Sequence, residues 1–151
     1  MRHVSNKVLL TITHMLLGIF LTLIMGMVIW GYGSLIESRF YPVVSQARIH
    51  SYESLEGSQT KLAFSATKFR ECIFLKAEWF VGEQGGRAAR VSSRFIDKPT
   101  VRGKGRHSWQ GMIVDLPESL IRESSYAIVY HNCHPFWTTR TTFFIGAEDT
   151  K

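Results

Sequence analysis

The stretch YHNCHPFW at 130–137 places one of the two cysteines of the chain beside two histidines. Cys133, His131 and His134 are residue types that bind copper or zinc, and a cysteine can also be a nucleophile. Further ligands for a metal site could come from His107 or Met112. In a strand, however, His131 and Cys133 share a face and His134 points away, and no CxxC or HxxxH spacing is present. The compartment decides between these uses and a disulfide bond.

The amino-terminal segment indicates that compartment. Val8 to Trp30 runs 23 residues without a charge. At about 1.5 Å per residue this helix is roughly 35 Å long, enough for a hydrocarbon core near 30 Å. The segment therefore predicts a transmembrane helix at 8–30. The alternative is a secretory signal peptide cut before Ser34, but such peptides have apolar runs of only about 7–15 residues. Trp30 is also typical of an interfacial position.

The basic residues on either side of this segment predict its orientation. Arg2, Lys7 and the terminal amine precede it, whereas Arg39 is the only basic residue in the fifteen that follow. Since positive charge is retained on the inner side, residues 1–7 are expected to be a cytoplasmic tail. The rest of the chain is then expected outside the cytoplasm.

Beyond the helix the hydrophobic pattern changes. Two glycines and Pro42 predict a linker at 31–42, followed by a β domain at 43–147 and a short tail at 148–151. Short alternating runs rich in β-branched and aromatic residues predict seven strands and an all-β antiparallel sandwich. The predicted strands are Val43–Tyr52, Lys61–Thr67, Cys72–Val81, Ala89–Ile96, His107–Asp115, Tyr126–Cys133 and Thr138–Ile145.

The two cysteines are predicted to form a disulfide bond. Cys72 and Cys133 both lie in the part expected outside the cytoplasm, on apolar-rich strands. An oxidising compartment favours their pairing over any ligand geometry that the neighbouring histidines offer. The sequence thus predicts a disulfide, no metal site and no cofactor.

The segments ECIFLKAEWF and YAIVYHNC are similar to parts of immunoglobulin-like sandwiches. Cys72 opens a strand that contains Trp79, and Cys133 ends the penultimate strand, which is the order of a Cys, Trp and Cys core trio. Because Cys72 and Trp79 are an odd number of positions apart, a bulge is needed to turn both inward.

A second resemblance covers more of the chain. One amino-terminal span, KFREC at 68–72 and CHPFWTTRTTFFIG at 133–146 resemble small membrane-anchored proteins of bacteriophages and prophages with a pattern K-x-R-x-C followed by C-H-P-x-W. The resemblance implies a viral or bacterial setting, hence a single-pass protein of the bacterial inner membrane with a periplasmic domain. It also favours a structural or interaction role over an activity.

Basic residues concentrate in one part of the domain, with Asp97 as the only acid among them. This composition is typical of a solvated face that discourages strand pairing, or of a surface that binds anionic lipid or an acidic protein. Nucleic acid is not expected as a partner outside the cytoplasm. The seven residues are Arg87, Arg90, Arg94, Lys98, Arg102, Lys104 and Arg106.

A stripe of small and polar residues recurs every four positions in the span and ends at Trp30. Such a stripe lets two helix backbones approach closely, which predicts self-association through the membrane. Its members are His14, Gly18, Thr22 and Gly26.

Together these features predict a non-enzymatic, membrane-anchored protein that acts by binding or as a structural component. Its expected partners are membrane lipid, a second copy of the chain and an anionic lipid or protein. Two alternatives remain open. One is a copper- or zinc-handling protein that uses Cys133, His131 and His134, and the other is a secreted or virion component whose leading helix is cleaved or buried in an assembly.

Overall fold

A computed structural model describes residues 2–96 and 103–146, and the side chains from residue 7 onward. The chain divides into two compact units, residues 1–34 and residues 35–151. The first unit consists of most of helix α1, Arg2–Phe40. The last residues of α1, from Leu35, belong to the second unit.

Helix α1 is longer than the sequence predicts. From Lys7 to Phe40 it is long and apolar enough to cross a membrane, although a signal sequence meets the same criterion. Most of the segment predicted as a linker at 31–42 is helical, because the chain stays in α1 through Phe40. The helix ends where expected for a following proline, since Pro42 disfavours the helical conformation at Tyr41. The glycines at 31 and 33 do not break the helix.

The second unit is a two-sheet antiparallel β-sandwich. The described residues form eight strands and a second short helix, one strand more than predicted. They are β1 (Arg48–Leu55), β2 (Gln59–Lys68), β3 (Ile73–Gly82), β4 (Ala88–Val91), β5 (Ser93–Phe95), β6 (Gly105–Val114), α2 (Glu118–Ser124), β7 (Ser125–Asn132) and β8 (Thr138–Ile145).

Consecutive pairs of strands belong alternately to the first and to the second sheet. The first sheet has the order β1-β2-β6-β5 and the second has the order β4-β3-β7-β8. Every pairing is antiparallel. The chain therefore passes from one sheet to the other between β2 and β3, between β4 and β5, and through α2 between β6 and β7.

The extra strand arises from the run predicted as Ala89–Ile96. Its first part pairs with β3, where Val91 lies opposite Trp79, and its second part pairs with β6, where Phe95 lies opposite Met112. Ser92 is the single residue between the two parts. Alternation of side chains continues through the run, so the sequence pattern does not reveal that the backbone changes sheets.

Apolar side chains from both sheets fill the space between them. Trp79, Phe64, Leu62 and Met112 are almost completely buried. Phe64 of the first sheet meets Phe143 of the second edge to face, with ring centroids 5.2 Å apart. Burial of such aromatic pairs supplies much of the stability of a domain of this size.

Candidate functional site

The largely buried carboxylate of Glu37 binds four side chains, of which His134 is one of the residues that could do chemistry. The Glu37 side chain is only 11% exposed. Its Oε1 accepts a hydrogen bond of 2.7 Å from Arg70 Nη1. Its Oε2 accepts bonds from His134 Nε2 (3.1 Å), Trp137 Nε1 (2.7 Å) and Thr139 Oγ1 (2.7 Å). We call these five residues the Glu37 junction.

Four separate segments of the second unit supply the junction. Glu37 lies in the last turns of α1, Arg70 lies between β2 and β3, and Thr139 is the second residue of β8. The connection between β7 and β8 supplies His134 and Trp137. Arg70 also donates to the carbonyl of Tyr41, 3.1 Å away, so it contacts both the helix and the residue that follows it. The junction thus makes the end of α1 an integral part of the domain.

Electrostatics make Glu37 an anion under all ordinary conditions. Burial alone would raise the pKa of Glu37, but the hydrogen bonds from Thr139, Arg70, Trp137 and His134 outweigh it and lower the pKa to about 2. A carboxylate with so low a pKa is a poor general base at neutral pH. Because four donors already occupy its two oxygens, the arrangement is suited to holding the chain together.

The two sequence motifs meet around this junction. In K-x-R-x-C, Lys68 is buried and its Nζ donates to the carbonyl of Cys72 at 2.9 Å, while Arg70 holds Glu37. Desolvation by burial lowers the pKa of Lys68, and the nearby Glu71 partly opposes this shift. In C-H-P-x-W, the histidine and the tryptophan both donate to Glu37.

The predicted disulfide is confirmed. Its two cysteines are close in sequence to Arg70 and His134 of the junction. Cys72 and Cys133 are bonded, with Cα atoms 4.5 Å apart. Cys72 directly precedes β3 and Cys133 directly follows β7, and Ile73 pairs with Asn132 beside them. Because β3 and β7 are neighbours in one sheet, the bond lies within that sheet. The core trio of an immunoglobulin domain would instead have its disulfide between the two sheets.

Trp79 occupies the core position that the trio predicts. Its Nε1 donates to Ser125 Oγ at 3.0 Å, and its ring lies 5.2 Å from that of Phe144. The register of β3 against β7 shifts between Phe74 and Lys76. This irregularity is the bulge that the odd spacing between Cys72 and Trp79 predicts.

His131 is buried in the domain rather than presented to a ligand. It is 3% exposed, and its ring meets Phe74 edge to face at 5.7 Å. Desolvation, with a smaller contribution from the charge of Lys68, lowers the pKa of His131 to about 4. Its Nδ1 has no hydrogen-bond partner among the described residues. His131 is therefore neutral at pH 7.

The residues considered for a metal site are separated by these roles. Cys133 has no free thiol, His134 is bonded to Glu37, and His107 contacts the carbonyl of Gly103 at 2.9 Å. Met112 lies in the core. Within residues 2–96 and 103–146, no three His, Cys, Asp or Glu side chains are close enough to hold a metal ion.

The basic residues that the structure describes lie on or directly before strands of both sheets, and their role as an anionic-surface site stays a prediction. Arg87 precedes β4 and Arg90 lies on it, in the second sheet, where Arg90 Nη1 is 3.2 Å from Glu78 Oε1. Arg94 and Arg106 lie in the first sheet, opposite Ile113 and Thr67 respectively. Lys104 immediately precedes β6, and Lys98 and Arg102 lie outside the described residues.

The stripe in α1 is exposed along the first unit. A Cβ atom added at Gly18 or Gly26 would meet nothing within 4 Å. Thr22 Oγ1 donates to the carbonyl of Gly18 at 2.8 Å, and His14 Nδ1 lies 2.7 Å from the carbonyl of Leu10. Thr22 Oγ1 and His14 Nδ1 thus have partners within the helix, and self-association stays a prediction.

Sequence reasoning missed Glu37, although one signal marked it. Glu37 is the first acidic residue of the chain, and the next is Glu53. A lone carboxylate directly after a long uncharged segment needs either solvent or partners.

Comparison with protein-family models, with curated proteins and with solved structures finds no match to this chain.

Proposed function

We propose that this chain is a single-pass membrane protein that holds a β-sandwich at the outer surface of a bacterial inner membrane and acts by binding. Its amino terminus would be cytoplasmic and the sandwich periplasmic. The observation that carries the proposal is the Glu37 junction, in which Arg70, His134, Trp137 and Thr139 bind Glu37 and build the end of the helix into the domain. A reactive centre would leave such residues accessible to a substrate.

The length of the uncharged segment supports this placement. From Val8 to Ile36 the chain has 29 residues without a charge, and Glu37 is the first charged residue after Lys7. At about 1.5 Å per residue the segment is roughly 43 Å long, close to the thickness of a bilayer with its headgroups. Glu37 then lies beyond the hydrocarbon region, where the domain begins.

Exposed aromatic residues near the junction support the same placement. Phe40 is the last residue of the helix and Tyr41 follows it, Phe69 directly precedes Arg70, and Phe136 lies between His134 and Trp137 in the β7–β8 connection. These four side chains are 49 to 68% exposed. The Phe136 ring is 5.8 Å from the ring of His134. Aromatic residues are enriched at membrane interfaces.

A binding role is supported by the architecture. With the strands lettered A, B, C, C′, D, E, F and G in chain order, the two sheets read A-B-E-D and C′-C-F-G. This order resembles the immunoglobulin arrangement, and we propose an immunoglobulin-like domain whose disulfide has moved to the C and F strands. Domains of this architecture commonly present surfaces for recognition. The phage or prophage setting is proposed from the motif resemblance alone.

A second copy of the chain is a further proposed partner. Gly18 and Gly26 leave open space along the exposed stripe of α1, which a neighbouring helix could fill. Replacing Gly18 and Gly26 by Ile should weaken association of the full chain in a membrane dimerisation assay, whereas Leu16→Ile and Leu23→Ile on other faces should not. Unchanged association of the glycine variant would remove this partner.

A topology experiment tests the proposed placement. A reporter that is active only outside the cytoplasm, fused after Lys151, should be active, and a reporter that needs the cytoplasm should be inactive there. The unfused chain, isolated from membranes under thiol-blocking conditions, should carry no blocked cysteine at 72 or 133. Activity of the cytoplasmic reporter alone, together with two blocked thiols, would place the domain on the other side.

A further inference from the structure

A polar groove lies on the first sheet, on the face that carries Ser65 and Thr67. Its volume is about 560 Å³. The segment that precedes β1 forms one wall, and strands β2 and β6 form the floor and the other wall. The polar side chains that line it include Ser45, Arg48, Ser65, Thr67 and Arg106.

Strand register directs two arginines toward this groove from opposite sides. Arg48 of β1 lies opposite Ser65 of β2, and Arg106 of β6 lies opposite Thr67 of β2. Ser65 and Thr67 are two positions apart, so they face the same side of the sheet. The two arginines therefore flank β2 diagonally on the same face of the sheet.

Neither guanidinium is neutralised by the part of the domain that the structure describes. Arg48 and Arg106 are exposed, and no described carboxylate forms an ion pair with either of them. No acidic residue lines the groove. Elsewhere in the domain, by contrast, Arg70 and Arg122 are held by Glu37 and Glu118.

Hydroxyl groups lie between the two arginines. Ser65 is buried, and its Oγ is 2.8 Å from His50 Nε2. The Thr67 amide donates to Ser45 Oγ at 3.0 Å, which fixes the wall of the groove against its floor. Guanidinium groups suit the oxygens of a phosphate group, because each guanidinium can donate two parallel hydrogen bonds.

We propose that this groove binds a phosphate group through Arg48 and Arg106. Only Arg106 belongs to the basic segment that the sequence singles out. Arg48 lies outside that segment, and the pairing of β1 with β2 places it at the groove. The phosphate could be that of a lipid headgroup or a soluble phosphate. The phosphate site goes beyond the proposed membrane placement and does not rest on it. A negative result with the reporter fusions would overturn the placement alone, and a negative phosphate titration would overturn the site alone.

The full chain in nanodiscs of phosphatidylcholine provides the first test. Inorganic phosphate, added at low salt, should shift the side-chain N–H resonances of Arg48 and Arg106 in a saturable way. The variant Arg48→Gln with Arg106→Gln should bind at least tenfold more weakly. A matched variant, Arg87→Gln with Arg94→Gln, removes the same charge at other exposed positions and should bind as the wild type does. Circular dichroism should show that both variants are folded.

A second arm distinguishes the source of the phosphate. Native mass spectrometry should count phosphatidylglycerol retained by the chain after extraction from mixed nanodiscs. Retention that depends on Arg48 and Arg106, without a response to inorganic phosphate, assigns the groove to a lipid headgroup. Saturable binding of inorganic phosphate assigns it to a soluble phosphate. If neither probe distinguishes the groove variant from its matched control, the groove is not a phosphate site.

Discussion

Residues far apart in the sequence meet at the Glu37 junction, whereas neighbours in the basic segment separate. The junction joins Glu37 to Thr139, which is 102 positions away. In the basic segment, Arg90 and Arg94 are four positions apart and lie in different sheets. Closeness in sequence therefore does not place two residues in the same sheet, and separation in sequence does not keep two residues apart.

The geometry of a sandwich explains this difference. The chain changes sheets after every second strand, so a run of like residues that crosses such a change is divided between the two sheets. The ends of several strands, however, meet at the same end of the sandwich. Arg70, His134 and Trp137 all lie in connections between strands, where their side chains can reach one carboxylate.

The largest expected effect comes from the disulfide, which joins the segment that contains Arg70 to the segment that contains His134. The double variant Cys72→Ser with Cys133→Ser should lower the free energy of unfolding by about 4 kcal/mol, because the bond closes a loop of 61 positions in the unfolded chain. Chemical denaturation of the full chain in detergent, monitored by tryptophan fluorescence, measures it. A decrease of less than about 1 kcal/mol in the free energy of unfolding would mean that the disulfide contributes little to holding these two segments together.

Removing the central charge should have the next largest effect. Glu37→Gln should cost about 2–3 kcal/mol, since Arg70 and three further donors lose an anionic acceptor. Because the pKa of Glu37 is lowered from 4.5 to about 2, its contribution is complete above pH 4.5 and is lost as pH falls toward 2. Acid unfolding of the variant should therefore be flatter in that range. The exposed Glu83→Gln serves as the matched control, and equal losses in the two variants would contradict a special role for Glu37.

His131 should make the free energy of unfolding depend on pH in a second range, between pH 6.5 and 4. Its pKa is lowered from 6.5 to about 4, so the unfolded chain binds a proton before the folded one does, and stability falls as pH decreases from 6.5 to 4. His131→Phe should remove this slope, and His107→Phe should keep it. Unfolding free energies measured across this range distinguish the two. A slope that persists in His131→Phe would assign it to other groups.

The dispersed basic residues should have the smallest effect on folding. Arg94→Gln should change the free energy of unfolding by less than about 0.5 kcal/mol, since the side chain is exposed and lies away from the junction. Denaturation under the conditions used for Glu37→Gln checks it. A loss as large as that of Glu37→Gln would show that the segment is structural after all.

Much of the fold could be predicted because it depends on local patterns. Alternation of side chains located the strands, and the count of two cysteines in a domain expected outside the cytoplasm predicted the bond between Cys72 and Cys133. Even the irregularity in β3 followed from the odd spacing between Cys72 and Trp79. These features are encoded within single strands or by the number of cysteines.

The remaining features depend on tertiary contacts that no local pattern contains. Gly31 and Gly33 indicate a linker, yet the helix continues to Phe40, and the residues after Ser34 are held by the domain. The change of sheet at Ser92 leaves side-chain alternation intact. Arg48 joins Arg106 only through the register of both strands against β2.

Hydrogen exchange at residues 35–41 tests the central claim most directly, namely that the Glu37 junction makes the end of α1 part of the domain. Exchange would be followed in the full chain in nanodiscs for the wild type, Glu37→Gln, Trp137→Phe and the control Glu83→Gln. The account predicts slow exchange in the wild type and the control, and exchange at least tenfold faster in both junction variants. Equal exchange at these amides in all four proteins would contradict it.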